Sequence, residues 1–296
     1  MPYLSLPSRR SFFARSVGAA ALMQGAHVLH GQQGADPKVA RWALLSDTHV
    51  SADRAFTNRG FRPAEQLTKV AGMVANAKVS AALINGDLAL QQGLPEDYQL
   101  LTELLQPMTS KLPVALGMGN HDHRKNFQAA FQKYPGDVQV VKDKHVSAIE
   151  GGPVRFLVLD SLIQANVTPG LVGKEQRAWL ERYLASSDDT PTIVFVHHTP
   201  GDGDIELMDA ERVLRILKAS RKVKALMFGH SHRYRFDKMD GFHLINIPAV
   251  GYNFQDEEPT GWLEAEFTAE GANFKLHAIG GNTEGNGKTT SVSWRG

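Results

Sequence analysis

The sequence predicts an α/β chain in which mixed sheets pack together and are flanked by helices. Three observations predict it. Short apolar runs suited to buried strands alternate with amphipathic helical stretches from about Lys38 to Phe228. Beyond Phe236 only strand-like patterns follow. Five of the apolar runs end in polar clusters, which the ends of strands would gather at one rim of a sheet.

The elements follow in order. Residues 39–46 form an apolar run ending in Asp47-Thr48-His49. A polar loop extends to about Arg62, and Pro63, whose fixed φ suits a first helical turn, opens a helix with Leu67, Val70, Ala71 and Val74 on one face. Residues 79–84 are the next strand, ending in Asn85-Gly86-Asp87, and residues 97–105 read as a helix. Residues 114–116 are a short strand ending in Gly117-Met118-Gly119-Asn120-His121-Asp122, before a helix through Phe127 and Phe131. Residues 154–159 are a strand ending near Asp160, and residues 175–184 a helix with Trp179, Leu180, Tyr183 and Leu184 as its apolar side. Residues 192–196 lead into His197-His198-Thr199-Pro200, residues 210–218 are helical, and residues 225–228 lead into Gly229-His230-Ser231-His232. Short strands follow at 242–247, 262–267 and 274–278. Residues 280–296, rich in Gly, Thr, Ser and Asn, read as a flexible tail. With no repeat and no linker, residues 38–279 read as one domain.

The N-terminus carries an address. Ser8-Arg9-Arg10-Ser11-Phe12-Phe13 and Arg15 precede a mildly apolar run, residues 17–29, with small residues near its end. A basic start, an apolar middle and a small-residue end describe a signal peptide, here residues 1–34. The adjacent arginines resemble a twin-arginine signal, which implies passage through that export machinery to the periplasm or the exterior. The run is too short and too rich in glycine and alanine to span a bilayer, and no later stretch is long enough. Loss of Arg9, Arg10 and Arg15 takes the net charge from +1 to slightly negative. That balance argues against a general nucleic-acid binder. The absence of cysteine excludes thiolate zinc sites, cysteine nucleophiles and disulfides.

The chemistry lies at the strand ends. The clusters are Asp47/His49, Asp87, Asn120/His121, His197/His198 and His230/His232, and seven of the twelve histidines lie in or beside them. Two carboxylates, an amide oxygen and several imidazoles suit first-row divalent or trivalent ions such as Fe, Mn, Zn or Co. The donors are too many for one tetrahedral ion. A carboxylate can bridge two ions, and two ions roughly 3.5–4 Å apart can clamp a phosphoryl group for in-line attack. Asp87, from a central strand, is the natural bridge.

Asp-x-His, Gly-Asp, Gly-Asn-His-Asp, His-His-x-Pro and Gly-His-x-His, in that order and each after a strand, resemble the calcineurin-like metallophosphoesterase superfamily. The resemblance spans residues 41–253 and implies a four-layer αββα sandwich of two mixed β-sheets flanked by helices. Residues 119–124 and 197–200 are most similar to the branch of class III cyclic-nucleotide phosphodiesterases and bacterial glycerophosphodiesterases. The implied reaction is hydrolysis of a small organic phosphodiester by a metal-bridging hydroxide. A phosphomonoesterase, a nucleotidase or nuclease with the same centre, or a non-catalytic metal-binding protein are the alternatives.

The resemblance also implies roles. Asp47, His49 and His232 would hold one metal, Asn120, His197 and His230 the other, and Asp87 both. His121 would contact the phosphate or protonate the leaving group, with Asp122 orienting its ring. Either His197 or His198 could be the ligand. The spacing from Val194 favours His197, which leaves His198 to face substrate. Apart from the resemblance, Arg124 reads either as a charge-assisted contact to the phosphate or as a solvent-facing arginine at a helix start, and Tyr252 and Asn253, after the strand-like stretch 245–250, would line the cleft. Thr199 and His123 depart from the narrower branch, where a proline and an acid are common.

Overall fold

The computed structural model describes residues 38–132 and 137–296. The expected signal peptide, residues 1–34, lies outside the described residues. In chain order the elements are β1 (Ala40–Leu45), α1 (Pro63–Asn76), β2 (Ala81–Asn85), α2 (Pro95–Thr109), β3 (Val114–Gly117), α3 (Arg124–Ala130), β4 (Asp137–Gln139), β5 (Val146–Glu150) and β6 (Arg155–Val158). There follow α4 (Lys174–Ser186), β7 (Thr192–Phe195), α5 (Ala210–Ala219), β8 (Val223–Phe228), β9 (Arg235–Met239), β10 (Phe242–Asn246), β11 (Pro259–Phe267), β12 (Gly271–Gly281) and β13 (Thr289–Ser293).

The strands form two mixed sheets. One has the order β13-β12-β11-β1-β2-β3, the other β4-β5-β6-β7-β8-β10-β9. In the first, β1, β2 and β3 are parallel while β11 runs antiparallel to β1. In the second, β6, β7, β8 and β10 are parallel. The central strands are apolar on both faces because both faces are covered. In β1, Trp42 and Leu44 enter the core between the sheets, whereas Ala43 and Leu45 enter the core beneath α1 and α2. The inter-sheet core joins Leu83, Phe156, Phe195, Met227, Ile245, Leu263 and Phe274. On the outer side of the second sheet, Leu180 and Leu184 of α4 and Val213 and Leu217 of α5 pack on Leu157, Val194 and Leu226. The layers are therefore helices, sheet, sheet, helices, the αββα sandwich that the motifs imply.

The tail departs from expectation. β12 continues to Gly281, and β13 pairs antiparallel with it, Ala272 opposite Val292 and Phe274 opposite Thr290. Composition suggested flexibility, but the alternation decides the outcome: Val292 and Trp294 pack against the inter-sheet core. Arg295 then donates to the carbonyls of Leu217 (2.9 Å), Ser220 (2.6 Å) and Val223 (3.0 Å) around the end of α5. The expected domain limit at 279 thus cuts through a strand.

Candidate metal centre

The parallel strands bring their C-terminal ends to one rim, and there the backbone turns sharply. Asp47 (φ 54°), His49 (47°), Asp87 (45°), His230 (68°) and His232 (51°) all adopt the left-handed conformation. That region costs residues with a Cβ, and such strain collects where function fixes a side chain. Backbone bonds hold the turns in register: Asp47 N–H donates to Gly86 O at 3.1 Å and His49 N–H to Asp87 O at 3.0 Å. The motif glycines leave room for this approach. A Cβ on Gly119 would overlap the Asp87 carboxylate and the His197 ring, and one on Gly229 would overlap the Asp47 carboxylate.

Three groups of side chains place ligand atoms within 4.8 Å of one another: Asp47, His49 and His232; Asp87, His197 and His230; and His49, Asp87 and His121. Asp87 belongs to two of them. Its Oδ2 lies 3.2 Å from His197 Nε2 and 3.8 Å from His49 Nε2, while its Oδ1 accepts the His121 N–H at 2.8 Å. Asp47 Oδ1 lies 3.4 Å from His232 Nε2 and 3.8 Å from His197 Nε2. Asn120 is buried beside them.

The histidines are oriented from behind by carbonyls. His197 Nδ1 meets Asn85 O at 2.9 Å, His232 Nδ1 meets Tyr252 O at 2.6 Å, and His230 Nε2 meets Ile205 O at 2.7 Å. A carbonyl only accepts, so each of these nitrogens carries the hydrogen and the other nitrogen of each ring is left as a ligand. Tyr252 packs its ring on His49 and His232 at 4.7 and 4.9 Å between centroids.

Whether these residues fit metal ions is tested by their hydrogen bonding. His49 Nδ1, His197 Nε2 and both amide atoms of Asn120 are buried without a hydrogen-bond partner. The His197 approach to Asp87 is an ion-pair contact without hydrogen-bond alignment. Buried polar atoms are nearly always paired, so His197 Nε2, which faces both carboxylates, and Asn120 Oδ1 are the unpaired atoms that fit cations. The electrostatics agree. Burial alone would raise both aspartates, but His197 and other imidazoles outweigh it and hold Asp47 and Asp87 below the usual carboxylate range. Burial drives His49 down to about 3, and burial with the His197 charge drives His230 down to about 4, so both rings are neutral. His197 resists burial because Asp87 and Asp47 pull it up to about 10, and a metal there would displace its proton.

The structure turns His197 Nε2 toward Asp87 and Asp47, at 3.2 and 3.8 Å, and places the His198 ring elsewhere. The His198 side chain is buried, with Nδ1 at 2.7 Å from Ser161 Oγ and Nε2 at 2.9 Å from Thr168 O. Burial, with the His197 charge beside it, pushes it well below the ordinary histidine range. It is a neutral strut between the 161–168 loop and the neighbouring histidines, and is not among the residues lining the cleft.

Arg124 is corrected as well. Its guanidinium makes a fork onto the buried Asp160, Nε to Oδ2 at 2.7 Å and Nη2 to Oδ1 at 3.0 Å, and also meets Leu162 O. It anchors that same loop, whose Asn166 N–H donates to Asn120 O at 2.6 Å. Asp122 does not orient the His121 ring. Its oxygens accept from Gly119 N, Leu88 N, Ala89 N and the Tyr98 hydroxyl, and burial with the nearby Asp87 raises it to about 6. It fixes the loops that carry Asp87 and Asn120. The His121 ring is turned instead by Gln91 O, 3.3 Å from its Nδ1. His123, where the branch commonly has an acid, caps α3 by accepting from Asn126 N.

The centre opens into a cleft of 480 Å³ lined in part by His49, Asp87, Asn120, His121, His230 and His232. Tyr252 and Asn253 lie behind this wall. Asn253 Nδ2 donates to Glu258 O, away from the ligands. The sequence reading missed Phe254, half-exposed and stacked on His232 at 4.0 Å, and Asn246 and Arg235 on the β9–β10 hairpin. Phe254 carried no motif. The hairpin was signalled only by the apolar alternation of residues 242–247.

The family profile described as calcineurin-like phosphoesterase matches residues 40–234. A probable cyclic nucleotide phosphodiesterase of Vesicomyosocius okutanii is 25% identical over 224 residues, covering 74% of this chain and 89% of that protein. A probable glycerophosphodiester phosphodiesterase GpdQ of Arcobacter nitrofigilis is 28% identical over 262 residues, covering 85% and 92%. Among solved structures, a dimetal phosphatase from Danio rerio superposes with a TM-score of 0.69 at 16% identity, over 88% of this chain and 100% of that one. Among the described residues no helix is long and apolar enough to cross a membrane.

Proposed function

The chain belongs to the calcineurin-like phosphoesterase family, and we propose that this metal-dependent phosphoesterase hydrolyses small organic phosphodiesters at a centre of two ions. The observation that carries the reading is the pair of buried Asp/His clusters beside Asn120, joined through Asp87, at the floor of an open cleft. Asp47, His49 and His232 would hold one ion, and Asn120, His197 and His230 the other, with Asp87 serving both. Bound there, the ions supply Lewis-acid polarisation of the phosphoryl oxygens and an activated water. The nitrogen and oxygen donors suit Fe, Mn, Zn or Co.

The chain's own residues do the rest. Carbonyls behind the histidines set their tautomers and aim, so the ligand geometry is fixed before substrate arrives. His121 stands at the cleft wall with Nδ1–H donated to Gln91 O, so it is the imidazolium form that gives its Nε2 proton to the departing alkoxide and is left as the neutral ring. Preference for diesters is supported by the names of the relatives, a cyclic nucleotide and a glycerophosphodiester phosphodiesterase. A small substrate is supported by the cleft, whose Arg233 and Arg235 are matched by Glu206 and Asp237, unlike a basic nucleic-acid groove.

The test strips the purified chain of metal, restores Mn, Zn, Fe or Co, and compares bis(p-nitrophenyl) phosphate with p-nitrophenyl phosphate. Metal-dependent turnover favouring the diester is expected. A preference for the monoester would make it a phosphatase or nucleotidase with the same centre. No turnover with two ions bound would leave a metal-binding protein.

Export is part of the same proposal. It is supported by the Arg9-Arg10 pair and the apolar run behind it. Fractionation of cells making the full chain should place it in the periplasm or medium, shortened by about the length of residues 1–34. An uncut cytoplasmic pool would overturn it.

A further inference from the structure

The cleft does not end at the ligands. It continues onto the outer face of the second sheet, where the helical cover stops. Phe242, at the start of β10, is buried with Val213 and Leu217 of α5. Further along the same face, Leu244 and Asn246 line the cleft instead. β9 pairs antiparallel with β10, Asn246 opposite Arg235 and Leu244 opposite Asp237, and all four line the compartment.

Asn246 is the distinctive group there. It is 4% exposed, and its Nδ2 donates to Ser231 Oγ at 2.5 Å, the residue between His230 and His232. Its Oδ1 is buried and has no partner. An amide oxygen accepts and cannot donate, so a donor reaching it from the cleft would satisfy it. Leu244 and Phe228 supply an apolar floor for a short carbon chain beside it.

We propose that this compartment seats one alcohol arm of the ester and that Asn246 selects arms bearing a hydrogen-bond donor, as in a short polyol or amino alcohol. This rests on the phosphoesterase reading and adds to it the class of alcohol. Asn246 touches the arm and not the reacting phosphorus, so it governs specificity, with its effect in KM.

The test uses the metal-loaded protein and matched diesters of p-nitrophenol in which the second alcohol is propanol, 1,3-propanediol or 3-aminopropanol. The donor-bearing arms are expected to be favoured in kcat/KM by about tenfold or more over the propyl arm, mostly through KM. Asn246→Leu should bring that ratio to about one, and Asn246→Asp, which keeps the acceptor oxygen, should retain it. Equal turnover of all arms by the unaltered protein, an unchanged ratio in Asn246→Leu, or the same loss in Asn246→Asp overturns the proposal. If the diesters are inert and the corresponding alkyl monoesters are hydrolysed, the diester reading falls and the compartment is judged by the same ratio on the monoesters.

Discussion

Asp87→Asn lowers kcat/KM by a thousandfold or more, on the order expected for removing a shared metal carboxylate, and leaves at most one ion per chain. The substitution keeps the shape of the side chain, and asparagine tolerates the left-handed backbone that Asp87 adopts at φ 45°. The fold therefore has little reason to fail. What changes is the charge between the two clusters. Asp87 Oδ2 faces His197 at 3.2 Å and His49 at 3.8 Å, and among the described residues Asp87 is the carboxylate that belongs to two of the candidate ligand groups. An amide supplies one neutral oxygen in place of a carboxylate able to serve two ions. Metal analysis alongside turnover of bis(p-nitrophenyl) phosphate is the check. A variant that keeps two ions and most of its rate would show that Asp87 is not the shared ligand.

His121→Ala is expected to lower kcat by about a hundredfold to ten-thousandfold while both ions stay bound. The ring is the most exposed of the imidazoles in the cluster, 22% against 1% for His49 and His232. Its Nε2 lies 3.9 Å from Asp87 Oδ2, on the cleft side. A proton donor matters most for a poor leaving group, so the deficit should be larger for an alkyl diester than for a p-nitrophenyl one. Loss of both ions in His121→Ala would make it a ligand, as its place in the cluster with His49 and Asp87 allows. An equal deficit for both leaving groups would count against proton transfer.

Much of this centre was legible because its parts are local. A strand buried on both faces is an unbroken apolar run, and β1, β2, β3, β7 and β8 read that way. The donors follow such runs directly, so order and spacing carried them without knowledge of the sheet order. The errors share one cause. Arg124, Asp122 and His198 each sit beside a motif and were read by that proximity, but their partners are distant in the chain: Asp160, Tyr98, and Ser161 with Thr168. A charged or polar side chain is assigned by what it touches when buried, and burial is a property of the packed layers.

The tail makes the same point from composition. Small polar residues between 280 and 296 resemble a flexible end, yet the free edge of β12 offers unpaired backbone groups, and Val292 and Trp294 have an apolar surface to cover. By itself the sequence determined the layered α/β class and the polar clusters at the strand ends, since both depend on residue type and period along the chain. Only the tertiary structure decided which histidine of the buried His197-His198 pair faces the two aspartates and which face of β10 is left open beside the centre. Those outcomes depend on contacts between segments brought together by packing, with the nearly buried Asn246 lining the cleft beyond the cover that α5 gives Phe242.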